Sequence, residues 1–110
     1  MSRAHDIVVY GSTGFTGRLV AEYLAAHYPG LNWAMAGRSQ AKLEEIRNEV
    51  GAPAHLPLIV ADAADPASLT RMVESTKVVI TTVGPYQLYG SGLVAACAAA
   101  GTAYVDLCGE

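Results

Sequence analysis

The stretch Ile7-Val8-Val9-Tyr10-Gly11-Ser12-Thr13-Gly14-Phe15-Thr16-Gly17-Arg18 decides the fold. Residues 7–10 have the length and β-branched character of a buried strand. They run directly into glycines at 11, 14 and 17, and a helical pattern opens at the end of that run. Strand, glycine turn and helix in this order form the setting in which backbone N–H groups cradle a phosphate. Gly11 permits the tight turn, Gly14 lets the backbone approach a pyrophosphate, and Gly17 lets the helix pack on the sheet. The helix N-terminus offers N–H groups to the phosphate, and the hydroxyls of Ser12, Thr13 and Thr16 add donors. The first glycine gap is one residue longer than in GxGxxG, and a turn that only packs a helix on a sheet is the competing reading.

Outward from this turn, short apolar runs alternate with amphipathic stretches. A helix is predicted over 16–28 with Leu19, Val20, Tyr23, Leu24 and His27 on one face, stopped by Pro29 and Gly30. A second strand follows at 32–36, and Ser39 caps a helix over 40–50 in which Leu43, Ile46 and Val50 recur at helical spacing. Residues 58–61 form the third strand, and Asp65-Pro66 signals the cap and first turn of a helix carrying Leu69, Met72 and Val73. Residues 78–83 are apolar on both faces apart from two threonines, as a central parallel strand must be. A helix over 91–100, closed by Gly101, leads to a fifth strand at 103–107. Right-handed crossovers then give an α/β, Rossmann-like doubly wound parallel sheet of five strands in the order 3-2-1-4-5, with helices on both faces.

The 110 residues allow one domain at most. Hydrophobic residues make up 52% and charged residues only 15%, where a soluble domain carries about 25%. That excludes disorder and leaves too little polar cover for a domain this small, so the chain reads as an N-terminal fragment. Its apolar face awaits a missing C-terminal domain or a second copy in a homodimer. Seven basic against ten acidic residues, a net charge of -3, exclude nucleic acid held by diffuse attraction. Residues 7–10 are too short for a signal sequence or for the roughly 20 residues of a membrane span, and Cys97 and Cys108 read as reduced thiols, so the protein is expected in the cytoplasm. His5, His27 and His55 are scattered and make no metal site. GxSxG and GxxxxGK[ST] are missing, and neither Tyr86 nor Tyr89 has a lysine four residues on, so no catalytic acid or nucleophile is readable.

A site for NAD would carry Asp or Glu at the end of strand two to hold the ribose hydroxyls. Here the chain reads Gly37-Arg38-Ser39. A guanidinium at 38 clamps a 2′-phosphate with two charge-assisted bonds, Ser39 donates another, and the cofactor is therefore expected to be NADP. Lys42 either adds a point charge or is a solvated helix lysine. Asp62, after strand three, either accepts from the adenine amino group or serves its loop, whereas Asp65 is a cap. After strand four, Gly84 permits close approach of a cofactor and Pro85 stiffens the loop, while Tyr86 and Tyr89 either line a nicotinamide pocket or pack.

The motifs YGSTGFTGR at 10–18, AGRS at 36–39, TTVGPYQLYG at 81–90 and YVDLCGE at 104–110 occur together, and across its whole length the chain resembles the saccharopine dehydrogenase-like oxidoreductases. Within that family it looks most like the actinobacterial trans-acting enoyl reductases, which act beside polyketide synthases and reduce a double bond in a lipid precursor with NADPH. The resemblance implies a nucleotide loop of Gly11, Thr13, Gly14, Phe15, Thr16 and Gly17, a phosphate-reading Arg38, and a nicotinamide-side turn at Gly84 and Pro85. It further implies a small-molecule or lipid-thioester substrate and a larger C-terminal portion. The family often has threonine where this chain has Cys108, for which no thiol chemistry is claimed. A saccharopine-type reductase of amino-acid conjugates, and a module that senses NADP without turning it over, remain as alternatives.

Overall fold

The first strand, β1 (His5–Tyr10), carries Val8 and Val9 side by side, both fully buried, which requires cover on both faces of the sheet. The computed structural model describes residues 4–12, 14–28, 30–62, 64–81, 93 and 95–106. After β1 come α1 (Phe15–His27), β2 (Trp33–Gly37), α2 (Gln40–Glu49), β3 (Leu58–Val60), α3 (Pro66–Glu74) and β4 (Thr76–Thr81). A helical segment over 95–100, here α4, then leads into β5 (Ala103–Asp106). Five parallel strands form one sheet in the order β3-β2-β1-β4-β5.

Alternation along the strands divides the core in two. Val8, Tyr10, Ala34, Ala36 and Val79 face Leu69, Met72 and Val73 of α3, together with Leu93 and Cys97. Val9, Trp33 and Met35 face Ala21 and Leu24 of α1 and Leu43 and Ile46 of α2. The sequence-based order of strands is therefore the observed one, with α1 and α2 on one face and α3 and α4 on the other. Thr102, buried ahead of β5, donates from Oγ1 to the Val73 carbonyl at 2.6 Å and ties that strand to the end of α3.

Helix α1 buries only part of the face predicted for it: Leu24 is in the core and Val20 packs against it. Gly17, Ala21 and Leu24 are buried, while Leu19 and Tyr23 are about half exposed and His27 is exposed. Gly17 lies on the buried stripe because the helix rests directly on the turn that precedes it, where a Cβ would meet backbone. Tyr23 instead stacks on His27, with ring centroids 4.5 Å apart, and the hydrogen bond in which its neutral phenol takes part with Tyr28 pushes its pKa up. Asp65 stands at the N-cap of α3, yet its side chain makes no capping bond. Its carbonyl accepts from the Ser68 amide at 3.0 Å, and Ser68 Oγ donates to the same carbonyl at 2.8 Å.

Candidate functional site

The turn after β1 is held by backbone bonds on every side. Gly11 has φ +89, which L side chains rarely adopt, and its amide and that of Ser12 both donate to the Ala36 carbonyl of β2, at 2.9 and 3.2 Å. Gly14 then donates to the Gly11 carbonyl at 3.0 Å and becomes the N-cap of α1, in extended conformation and without a side-chain cap. The amides of Phe15, Thr16 and Gly17 in the first turn reach no carbonyl within the helix and carry the positive end of its dipole. Gly14, Phe15 and Thr16 are exposed, Phe15 at 80%.

The two later glycines differ sharply. A Cβ on Gly17 would stand 2.0 Å from the Gly11 carbonyl oxygen and 2.8 Å from Ser12 Cα, so this glycine is what allows the helix to seat on its own turn. A Cβ on Gly14 would meet only the Gly11 oxygen at 3.5 Å, an ordinary contact. Among the described residues, space is therefore left in front of Gly14, beside the first-turn amides.

The hydroxyl of Ser12 is a correction to the sequence reading. It is fully buried and donates to the Val9 carbonyl at 2.7 Å, closing the strand end instead of facing outward. A short hydroxyl just past a strand end has a backbone carbonyl three residues back within reach and bonds to it locally. Thr13 lies outside the described residues, as do Gly84, Pro85, Tyr86, Tyr89 and Cys108.

At the end of β2, Gly37 is buried and Arg38 and Ser39 are exposed. Ser39 caps α2 as expected, its Oγ accepting from the Lys42 amide at 3.3 Å. Among the described residues no carboxylate pairs with Arg38, whereas Lys42 stands 3.9 Å from Glu45. The Ala61 amide donates to the Gly37 carbonyl at 2.8 Å, which sets Asp62 beside the Arg38 segment. Asp62 Oδ1 accepts from the Ala64 amide at 2.9 Å, so this carboxylate also shapes its own loop. Gly11, Gly14, Arg38, Ser39 and Asp62 thus gather at the carboxyl ends of β1, β2 and β3, where open parallel sheets bind ligands.

Two features escaped the sequence reading. Arg18 bridges to Glu49 at 2.7 Å and joins α1 to α2, a pairing 31 positions apart that no local pattern announces. Ser68 Oγ accepts from the Asp62 amide at 3.0 Å while it donates into the same loop, and its place three residues after Asp65 was the available signal. Among the described residues no group of His, Cys, Asp or Glu could hold a metal ion, and no helix is long and apolar enough to cross a membrane.

Residues 7–109 match the family model of the saccharopine dehydrogenase NADP binding domain. The chain belongs to this family. It is 52% identical over 109 residues to a trans-acting enoyl reductase of Mycobacterium leprae and 50% identical to one of Mycobacterium ulcerans, in each case over 98% of this chain. It spans 26% of the length of these curated relatives. Among solved structures, a saccharopine dehydrogenase (L-Glu forming) from Saccharomyces cerevisiae superposes with TM-score 0.75 at 22% identity, over 93% of this chain and 21% of that one. The Citrobacter triphenylmethane reductase complexed with NADP(H) gives TM-score 0.71 at 25% identity, over 90% and 36%. The strand order and the helices on both faces are those of this Rossmann-like class, and the family's NADP-binding part is the part this chain represents.

Proposed function

We propose that this chain is the N-terminal, cofactor-holding domain of a longer cytoplasmic NADP(H)-dependent oxidoreductase. Its reaction is the reduction of a carbon–carbon double bond in a polyketide-derived lipid precursor carried as a thioester. The observation that carries the cofactor reading is the pairing of an uncapped, exposed α1 N-terminus with an exposed Arg38 that has no carboxylate partner among the described residues. Room for a pyrophosphate in front of Gly14 is supported by the contacts of a Cβ placed there, which among the described residues would meet only the Gly11 oxygen. The substrate reading is supported by the mycobacterial relatives that carry the enoyl reductase name.

In this reading the Phe15, Thr16 and Gly17 amides bind the pyrophosphate, and the dipole of α1 favours its charge. Arg38 clamps the 2′-phosphate, the Ser39 hydroxyl donates to it while still capping α2, and Asp62 borders the adenine. Gly84 and Pro85 complete the nicotinamide side. When bound, the reduced cofactor supplies the hydride. No residue of this chain is assigned the proton-donating role.

Calorimetric titration of NADPH and NADH against the wild type and Arg38→Ala tests this reading. Charge-assisted bonds to the 2′-phosphate are worth about 1.5–3 kcal/mol, about tenfold or more in affinity, so NADPH should bind that much more tightly and lose the advantage in the variant. Equal affinities in the wild type would overturn it. An enoyl-thioester assay of the full-length protein with NADPH tests the reaction.

A further inference from the structure

One half of one sheet face is only partly covered by the described residues. The register sets Ile7 opposite Val78 and Val9 opposite Ile80, so Val78 and Ile80 of β4 lie on the face that α1 and α2 cover. Ala103 and Val105 of β5 pair with those two residues and extend the same face to the sheet edge. Val9 is fully buried, yet Val78 and Ile80 are only half-buried and join neither core cluster, and Val105 is 41% exposed. On the opposite face the same strands are closed, with Val79 fully buried beside Leu93 and Cys97 and with Tyr104 packed against them. Helix α1 borders the open half. Arg18 reaches α2, and Tyr23, five residues on and about 140° around the helix, stands exposed on the flank turned away from α2.

The handedness of the fold says what kind of element fits there. Crossovers from β1 to β2 and from β2 to β3 run towards one edge and place α1 and α2 on one face. Those from β3 to β4 and from β4 to β5 run the other way and place α3 and α4 on the opposite face. A crossover helix leaving β5 for a further strand would again fall on the face of α3 and α4. Cover for Val78, Ile80 and Val105 must therefore come from chain that returns to the α1 face.

We infer that this half-face, bounded by α1 and the β5 edge, seats an amphipathic helix supplied in cis by the polypeptide that makes up the remainder of the relatives' length. Those relatives are long enough to supply it, since this chain spans 26% of them. The apolar character of Val78, Ile80, Ala103 and Val105 asks for an apolar helix stripe, and the sheet's parallel strands are of the kind found covered on both faces. The inference rests on the proposal that this chain is part of a longer polypeptide and is independent of what the nucleotide site binds.

Hydroxyl-radical footprinting of the full-length polypeptide tests it without any substitution, because the sheet carries its own reference. Val60 on the opposite edge strand is 47% exposed, close to the 41% of Val105, and has the same intrinsic reactivity. With the helix seated, Val105 is labelled several-fold more slowly than Val60, and Tyr23 is slowed with it. Equal labelling of the two valines overturns the inference. Protection of Val105 that disappears when the protein is diluted to monomer also overturns it, since a second copy would then be the occupant.

Discussion

Gly14 and Gly17 lie three residues apart and require glycine for different reasons, which makes them a matched pair for experiment. A methyl on Gly17 would collide with the Gly11 carbonyl, where backbone and not a pliable side chain must yield. Gly17→Ala should cost about 3 kcal/mol or more, at the upper end of overpacking, and be visible as a lowered urea midpoint at unchanged slope. Gly14→Val should lower the unfolding free energy by only about 1 kcal/mol, the cost of a branched residue at an N-cap, while abolishing nucleotide binding by filling the space in front of it. Stable protein that still binds nucleotide after Gly14→Val would reduce the turn to a packing device. Cys97 gives a third test at this scale. Burial pushes its thiol pKa up, so thiolate is scarcer than for a free cysteine at any given pH, and its sulfur is enclosed in the α3 and α4 cluster. Peptide mapping after maleimide treatment should find Cys97 unlabelled in the native protein and labelled once denaturant unfolds it. Native labelling at the rate of a free thiol would contradict the packing of α4.

Among the elements, α1 shows where pattern reading is ambiguous. Its sequence carries two stripes at helical spacing, one of Gly17, Ala21 and Leu24 and one of Leu19, Tyr23 and His27. The face predicted from hydrophobicity straddles the two, and its Val20 and Leu24 pack on the core while Leu19, Tyr23 and His27 lie outward, because Gly17 seats the helix on its own turn. The caps divide in a similar way. Ser39 was legible because a hydroxyl at that spacing has one obvious donor in the Lys42 amide. Asp65 is the N-cap that Asp65-Pro66 signals, but its side chain makes no capping bond, Ser68 Oγ donating instead to its carbonyl while Pro66 removes one donor from the first turn. The contact between α1 and α2 is an ion pair whose side chains are 42% and 39% exposed, so solvent screens it strongly. A double-mutant cycle of Arg18→Ala and Glu49→Ala should give a coupling of no more than about 1 kcal/mol, shrinking further in 1 M salt. A larger, salt-insensitive coupling would mean that the pair is shielded in the full-length protein.

The whole molecule combines a low charged fraction of 15% with a net charge of -3 and an isoelectric point near 5.5. Little charge repulsion remains near that pH, and the open half-face offers apolar contact. Solubility of this chain should fall to a minimum near pH 5.5 and recover by about pH 8 as net negative charge grows. A turbidity series across pH measures this, and a flat profile would show that charge does not limit association.

Strand order, the two-sided burial and the placing of the glycine turn were determined by the sequence itself. A run such as Val8-Val9 can only be buried on both sides, and crossover handedness leaves few ways to connect five such runs. Arg38 and Ser39 were legible for the same reason, since the residues just past a strand in such a sheet have one place to go. Tertiary structure alone decided the inward turn of the Ser12 hydroxyl, the small-residue face of α1, the bridge from Arg18 to Glu49 and the exposure of Val105. Each depends on a distance between segments remote in sequence, and such distances follow from packing, which no local pattern encodes.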